Sequence, residues 1–220
     1  MLLHHAGGSA GGFLPLAPFL PSGWRLLAVD LPGRLYEPAG RACRTITEAV
    51  DYLVSALRRE LSGPYAVFGH SMGALLAYEL VRHLEQRGRG PDWLGASGLP
   101  APQIVGRTRL SPPPPPVPAA DERVAARATR TLRDDLALVD GYRHFPGTPL
   151  RTALSVFRGD ADPLTPPEFT APWSELADGA VNFHSCAGGH FFPFERPEAF
   201  SDRLAGLSRE GPLAYADGRS

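Results

Sequence analysis

The stretch YAVFGHSMG, residues 65–73, narrows the folds open to this chain more than any other. YAVFG (65–69) carries the aromatic and β-branched residues of a buried strand. SMGALLAYELVRHLEQRG (71–88) follows at helical spacing and closes on Gly88. Ser71 therefore stands on the turn from strand to helix, flanked by Gly69 and Gly73. A serine there has nothing to pack against. Its hydroxyl is held at the carboxyl end of a strand, beside the first free N–H groups of a helix, which is the context a G-x-S-x-G nucleophile turn requires. The backbone N–H of Met72 points to the same place and can stabilise an oxyanion. A bare G-x-S-x-G says little in a chain with 24 glycines; the strand and helix around it give it weight.

The rest of the chain alternates in the same way. Strands are expected at WRLLAVD (24–30), WLGASG (93–98), TALSVFRG (152–159) and AVNFHSC (180–186). Helices are expected over 45–61, 120–142, 168–176 and 195–208, the first with Thr45 or Thr47 as its N-cap and Glu48 in its first turn. The pattern predicts a single α/β domain over 1–220, with a mostly parallel sheet flanked by helices. Proline-rich SPPPPPVPAA (111–120) breaks the alternation, so 99–150 reads as an insertion on top of the sheet. The polar tail beyond 209 is expected to fray.

A serine needs a base, and the base needs a carboxylate to orient it. In an open parallel sheet with this turn they follow in the order Ser, Asp, His. FRGDADP (157–163) ends a strand and offers Asp160 and Asp162. Asp162 sits further into the loop and is preferred; Asp160 is the alternative. AGGHFF (187–192) ends the next strand and delivers His190 on a loop loosened by two glycines. The second oxyanion donor is expected in the Gly-rich HHAGGSAGGF (4–13), at the backbone N–H of Ala6.

Other chemistries find little support. All 22 basic residues are arginine, which excludes a lysine Schiff base. His4 and His5 form a metal pair only with a further ligand, and none stands at a helpful spacing. Cys43 and Cys186 read as two reduced thiols. A net charge of -1 gives no reason to expect nucleic acid or an anionic membrane as partner. No apolar run approaches the roughly 20 residues of a membrane span. MLLHHAGG has no basic start and no long apolar core, so no signal peptide is read and a cytoplasmic location is expected.

HAGGSAGGF (5–13), LAVDLPGR (27–34), FGHSMGALLAYEL (68–80), LRDDLALVDGYRHFPGTPL (132–150), GDADP (159–163) and AGGHFF (187–192) together resemble the type II, editing thioesterases of polyketide and nonribosomal peptide biosynthesis. The resemblance implies an α/β-hydrolase fold with a helical lid. It implies hydrolysis of acyl groups held as thioesters on the phosphopantetheine arm of an acyl or peptidyl carrier protein, clearing stalled or aberrant units without metal or organic cofactor. By position, Ser71 is the nucleophile, His190 the base and Asp162 its orienter, with the N–H groups of Met72 and Ala6 as the oxyanion hole. The partner is then the carrier protein, and the chain is expected to be monomeric.

Against the family's pattern, the lid in 99–150 looks shortened to about one helix beside PPPPP (112–116), only MLLH stands before HAGG, and LPGR is followed by LYEP. Leu132, Leu136 and Val139 either line an acyl chamber or pack the lid helix onto the core. Three rivals share the motifs: a small-molecule carboxylesterase on the same triad, a non-catalytic carrier-binding descendant, and a releasing or cyclising thioesterase.

Overall fold

Parallel strands with helices on both sides must bury both of their faces, and the alternation of side chains along each strand does so here. A computed structural model describes residues 1–34, 42–61, 64–105 and 121–210. Its strands are β1 (Leu2–Leu3), β2 (Ala28–Val29), β3 (Ala66–His70), β4 (Trp93–Ser97), β5 (Ala153–Gly159) and β6 (Val181–Cys186). They form one sheet in the order β2-β1-β3-β4-β5-β6, and every pairing is parallel. Leu3, Val67, Leu94, Ala96, Leu154 and Val156 face one side, where α1 (Ile46–Ala56), α2 (Met72–Glu85) and the end of α3 (Glu122–Gly141) cover them. Leu2, Phe68, Trp93 and Phe157 face the other. There a 3₁₀ segment, Ala10–Phe19, contributes Phe13 and Leu16. Phe192 of α5 (Phe192–Glu195) and Phe200 and Leu204 of α6 (Pro197–Glu210) complete that layer. This is the α/β-hydrolase arrangement.

The helix starts follow the sequence closely, but the helix expected over 45–61 ends at Ala56 and the one expected over 71–88 ends at Glu85. Thr45 caps α1, its side chain accepting the Glu48 N–H at 3.1 Å. Asp121 caps α3, accepting the N–H groups of Arg123 and Val124 at 2.7 and 3.1 Å. Further expectations need correction. Of the strand expected over 24–30 only Ala28–Val29 pairs, because its neighbour β1 offers two ladder positions. That neighbour, Leu2–Leu3, was not expected as a strand, yet it lies between β2 and β3. The helix expected over 168–176 is α4 (Pro167–Thr170) followed by a 3₁₀ turn, Ala171–Leu176. Pro172 has no N–H for the carbonyl of Glu168, and its ring crowds that carbonyl. The last helix begins at Pro197, which suits a first helical position, and α5 is a separate turn before it. The Gly-rich 4–13 loop also runs directly into the 3₁₀ segment, where Pro15 and Pro18 deny an α-helix its bonds. The PPPPP run and the tail beyond 210 lie outside the described residues. Among the described residues, no helix is long and apolar enough to cross a membrane.

The strand order places the site. The chain leaves β1 for β2 on one side and returns to β3 on the other. The loops after β1 and β3 therefore diverge and leave a crevice at their carboxyl ends. HAGG follows β1 there, and Ser71 follows β3.

Candidate active site

Ser71 has φ 55 and ψ -121, and it is the one non-glycine residue with positive φ among those described. A conformation of this kind costs about 1–3 kcal/mol and persists only where the surroundings enforce it. They do so here. The Ser71 N–H donates to the carbonyl of Ser97 at 2.7 Å, and its own carbonyl accepts the Ala74 N–H at 2.8 Å. The flanking glycines are needed for close approach. A Cβ on Gly69 would lie 2.0 Å from the Gly73 carbonyl oxygen, and a Cβ on Gly73 would lie 2.0 Å from that of Leu3. The turn is thus pressed between its own helix and the end of β1.

The loops after β5 and β6 are zipped to each other. Asp160 N–H donates to the Cys186 carbonyl at 2.8 Å and Ala161 N–H to that of Gly188 at 3.0 Å. The Asp160 carboxylate accepts the Gly188 N–H at 3.0 Å. Asp160, the alternative for the triad, thus shapes the histidine loop, and Asp162 is the carboxylate that reaches the ring. His190 Nδ1 lies 2.8 Å from Asp162 Oδ2, and Nε2 lies 3.1 Å from Ser71 Oγ. A carboxylate only accepts, so Nδ1 carries the proton and Nε2 is free to accept from the serine hydroxyl. The structure therefore brings Ser71, His190 and Asp162 into one hydrogen-bonded relay across three strand ends.

Asp162 is buried. Burial pushes its carboxyl up, but the His190 bond and charge, the Leu164 N–H and the Thr165 hydroxyl together hold it below the usual carboxylate range. Thr165 Oγ1 donates at 2.8 Å and Leu164 N–H at 3.0 Å. Sequence reasoning missed Thr165. The signal was the spacing in DPLT (162–165), where Asp can accept from the backbone two residues on and from a hydroxyl three on. His70 was missed as well. Fully buried, it lies 5.1 Å from the His190 ring, centroid to centroid, with Nδ1 3.0 Å from Ser97 Oγ. Burial, with His190 and His5 beside it, holds it well below the ordinary histidine value, so it is a neutral floor beneath His190.

Met72 opens α2 directly after Ser71, buried at the helix N-terminus. Ala6 sits in a turn closed by the Gly8 N–H to the His5 carbonyl at 3.0 Å, with Gly7 at φ 73. His4 and His5 stand just before Ala6. Each Nδ1 lies against a backbone carbonyl, of His5 and Ala6 at 2.8 and 2.9 Å. Among the described residues no group of three or more side chains could hold a metal ion. Cys43 and Cys186 are free thiols, and burial pushes both up, away from the reactive thiolate. A cleft of about 550 Å³, lined by Tyr78, Gln103, His144 and Glu175 among others, contains none of the relay residues. Side-chain chemistry rather than volume marks the site.

Comparison with known proteins bears on the family. A family model described as a thioesterase domain matches residues 1–115, just over half of the chain. Thioesterase PikA5 of Streptomyces venezuelae is 30% identical over 213 residues, which cover 86% of this chain and 73% of that protein. A probable cadicidin biosynthesis thioesterase of Streptomyces griseus is 29% identical over 216 residues. This chain spans 60% of that relative's length. Among solved structures, the type II thioesterase BorB from the borrelidin biosynthetic cluster superposes with a TM-score of 0.82 at 35% identity, over 96% of this chain and 90% of BorB. RedJ, a thioesterase of the prodiginine pathway in Streptomyces coelicolor, superposes with a TM-score of 0.81 at 29% identity, over 95% of this chain and 84% of RedJ. Sequence and fold agree, and the chain belongs to the thioesterase family.

Proposed function

We propose that the chain is an editing thioesterase: it hydrolyses acyl groups from the phosphopantetheine thioester of an acyl or peptidyl carrier protein in polyketide or nonribosomal peptide biosynthesis. One observation carries the reading, the relay from Asp162 through His190 to Ser71 at 2.8 and 3.1 Å. Ser71 Oγ attacks the thioester carbonyl carbon as its proton passes to His190 Nε2. The carbonyl oxygen becomes an oxyanion received by the N–H groups of Met72 and Ala6. The intermediate collapses, the C–S bond breaks, and the thiol leaves with the proton from His190. Water then gives its proton to His190 and attacks the acyl-serine. The free acid departs, and Ser71 regains its proton.

We infer that α3 belongs to a lid over this crevice. Val139 packs into the main core beside the α1 and α2 side chains, and half-buried Leu132 lies against Gly7; half-buried Leu136 is the position left to meet an acyl chain.

The test is release of acetyl and short acyl groups from a loaded carrier protein, followed by intact mass. The wild type is expected to release them, and Ser71→Ala to fall by about 10⁴-fold or more. Equal release of the matching oxygen ester would favour a carboxylesterase. A folded wild type that releases nothing would leave the non-catalytic reading.

A further inference from the structure

LPGR (31–34) and LRDD (132–135) are two stretches for which the reaction above has no use. The structure joins them at the turn that carries Ala6. Asp135 of α3 and Arg34 of LPGR are both buried, at 3% and 5% exposure. Arg34 Nη2 donates to Asp135 Oδ1 and Oδ2 at 2.8 and 2.7 Å. The same Oδ2 accepts the backbone N–H of Gly7 at 2.7 Å. One helical turn earlier, Leu132 closes on the same glycine: a Cβ placed on Gly7 would lie 3.1 Å from Leu132 Cβ and Cδ1. Further back, Arg127 Nη2 donates to the Arg34 carbonyl at 3.0 Å. So α3 holds the tip of the HAGG turn by its N–H and by its Cα, and it holds the arginine that neutralises the carboxylate.

A buried ion pair is a weak source of stability, because desolvation of both charges offsets their attraction. Its geometry here serves a different end. The HAGG turn is short and Gly-rich; within the turn, one backbone bond closes it, Gly8 N–H to the His5 carbonyl, and the His5 ring Nδ1 lies 2.9 Å from the Ala6 carbonyl. Asp135 adds an anchor from outside the turn, on the N–H side of the peptide that directly follows Ala6. Arg34 keeps a net negative charge from standing beside the place where the oxyanion forms.

We propose that Asp135 is a positioning residue for the oxyanion hole: from α3 it holds the Gly7 N–H, and with it the neighbouring Ala6 N–H, in the orientation that receives the thioester oxygen, while Arg34 holds and neutralises Asp135. The proposal rests on the serine-hydrolase reading of Ser71 and Ala6. It makes α3 part of the catalytic geometry as well as a cover over it.

The test uses the full chain as wild type, Asp135→Ala and Asp135→Asn. Two rates are read: labelling of Ser71 by a fluorophosphonate, whose phosphoryl oxygen takes the oxyanion's place, and turnover of a short acyl N-acetylcysteamine thioester. Folded fraction is set by thermal melts. Asp135→Ala is expected to lower both the labelling rate and kcat about 100-fold, the cost of roughly 1 Å of misplacement, with KM close to wild type. Asp135→Asn keeps one oxygen for the Gly7 N–H, but loses the charge and the second oxygen that accepts from Arg34, leaving an NH2 in its place. It is expected to recover to within about tenfold of wild type, the scale of one hydrogen bond. If Asp135→Ala does not fold, the loss of about tenfold in kcat at unchanged KM in Asp135→Asn carries the result. Folded variants that label and turn over at the wild-type rate overturn the proposal alone. A wild type that neither labels nor cleaves overturns the hydrolase reading and this proposal together.

Discussion

Asp162 meets His190 with one oxygen, and both of its oxygens are held by DPLT itself. Its carboxyl is held below the usual range in the folded chain, so the contact stabilises the fold above the unfolded value near pH 4 and is lost as pH falls below it. Thr165→Val keeps the shape of a fully buried side chain and removes one donor. It is expected to cost about 1.5–3 kcal/mol at pH 7, to shrink the acid-dependent loss that Asp162 contributes, and to lower kcat. Urea midpoints at pH 7 and pH 4 check this; unchanged midpoints would show that the hydroxyl does not hold the carboxylate. At this scale Ser71 and His190 were legible because each announces itself locally, the serine between glycines after a strand and the histidine after AGG. Asp162 was legible as one of two candidates, and the tertiary contact separated them by giving Asp160 to the Gly188 N–H. The Arg34–Asp135 pair was not legible, since its members stand 101 residues apart and neither motif names the other.

The turn at Ser71 is an element in its own right, and its limit is space. A methyl on Gly73 meets the Leu3 carbonyl at 2.0 Å, and neither the β1 backbone nor the first turn of α2 can withdraw. Gly73→Ala is expected to destabilise the fold by more than about 3 kcal/mol, read as loss of soluble folded protein. Gly206→Ala is the control. Nothing lies within 4 Å of a Cβ there, inside α6, so the change is expected to stabilise by up to about 1 kcal/mol. Comparable yields and melting temperatures for the two variants would contradict this account of the turn. Helix starts were read well where capping is local, as at Thr45. They were read poorly where proline cuts the ladder, as at Pro172. Strands were read well only when long. Leu2–Leu3 has no period to read, and it exists because β3 and β2 pair with it from both sides.

Across the molecule, burial of histidine sets the response to acid. His4 is buried, its pKa pushed down to about 4 by burial and by Arg34 beside it, and His70 is held well below its ordinary value as well. The unfolded chain binds protons at these rings from about pH 6.5 downward while the folded chain does not. Stability is therefore lost as pH falls from about 6.5 towards 4, with His4 contributing on the order of 3 kcal/mol across that window. His4→Asn is expected to flatten the fall in urea midpoint between pH 7 and pH 5; a variant with the wild-type slope would place the acid response elsewhere. At this scale the sequence alone determined the α/β alternation, the nucleophile turn and the order Ser, Asp, His, because periods of 2 and 3.6 and glycine at turns are set by near neighbours. Only the tertiary structure decided that β1 lies between β2 and β3, that Asp162 and not Asp160 reaches His190, and that α3 grips the HAGG turn through Asp135. Each depends on which distant backbone supplies a partner for a buried polar group or a short strand, and that is a property of the assembled sheet.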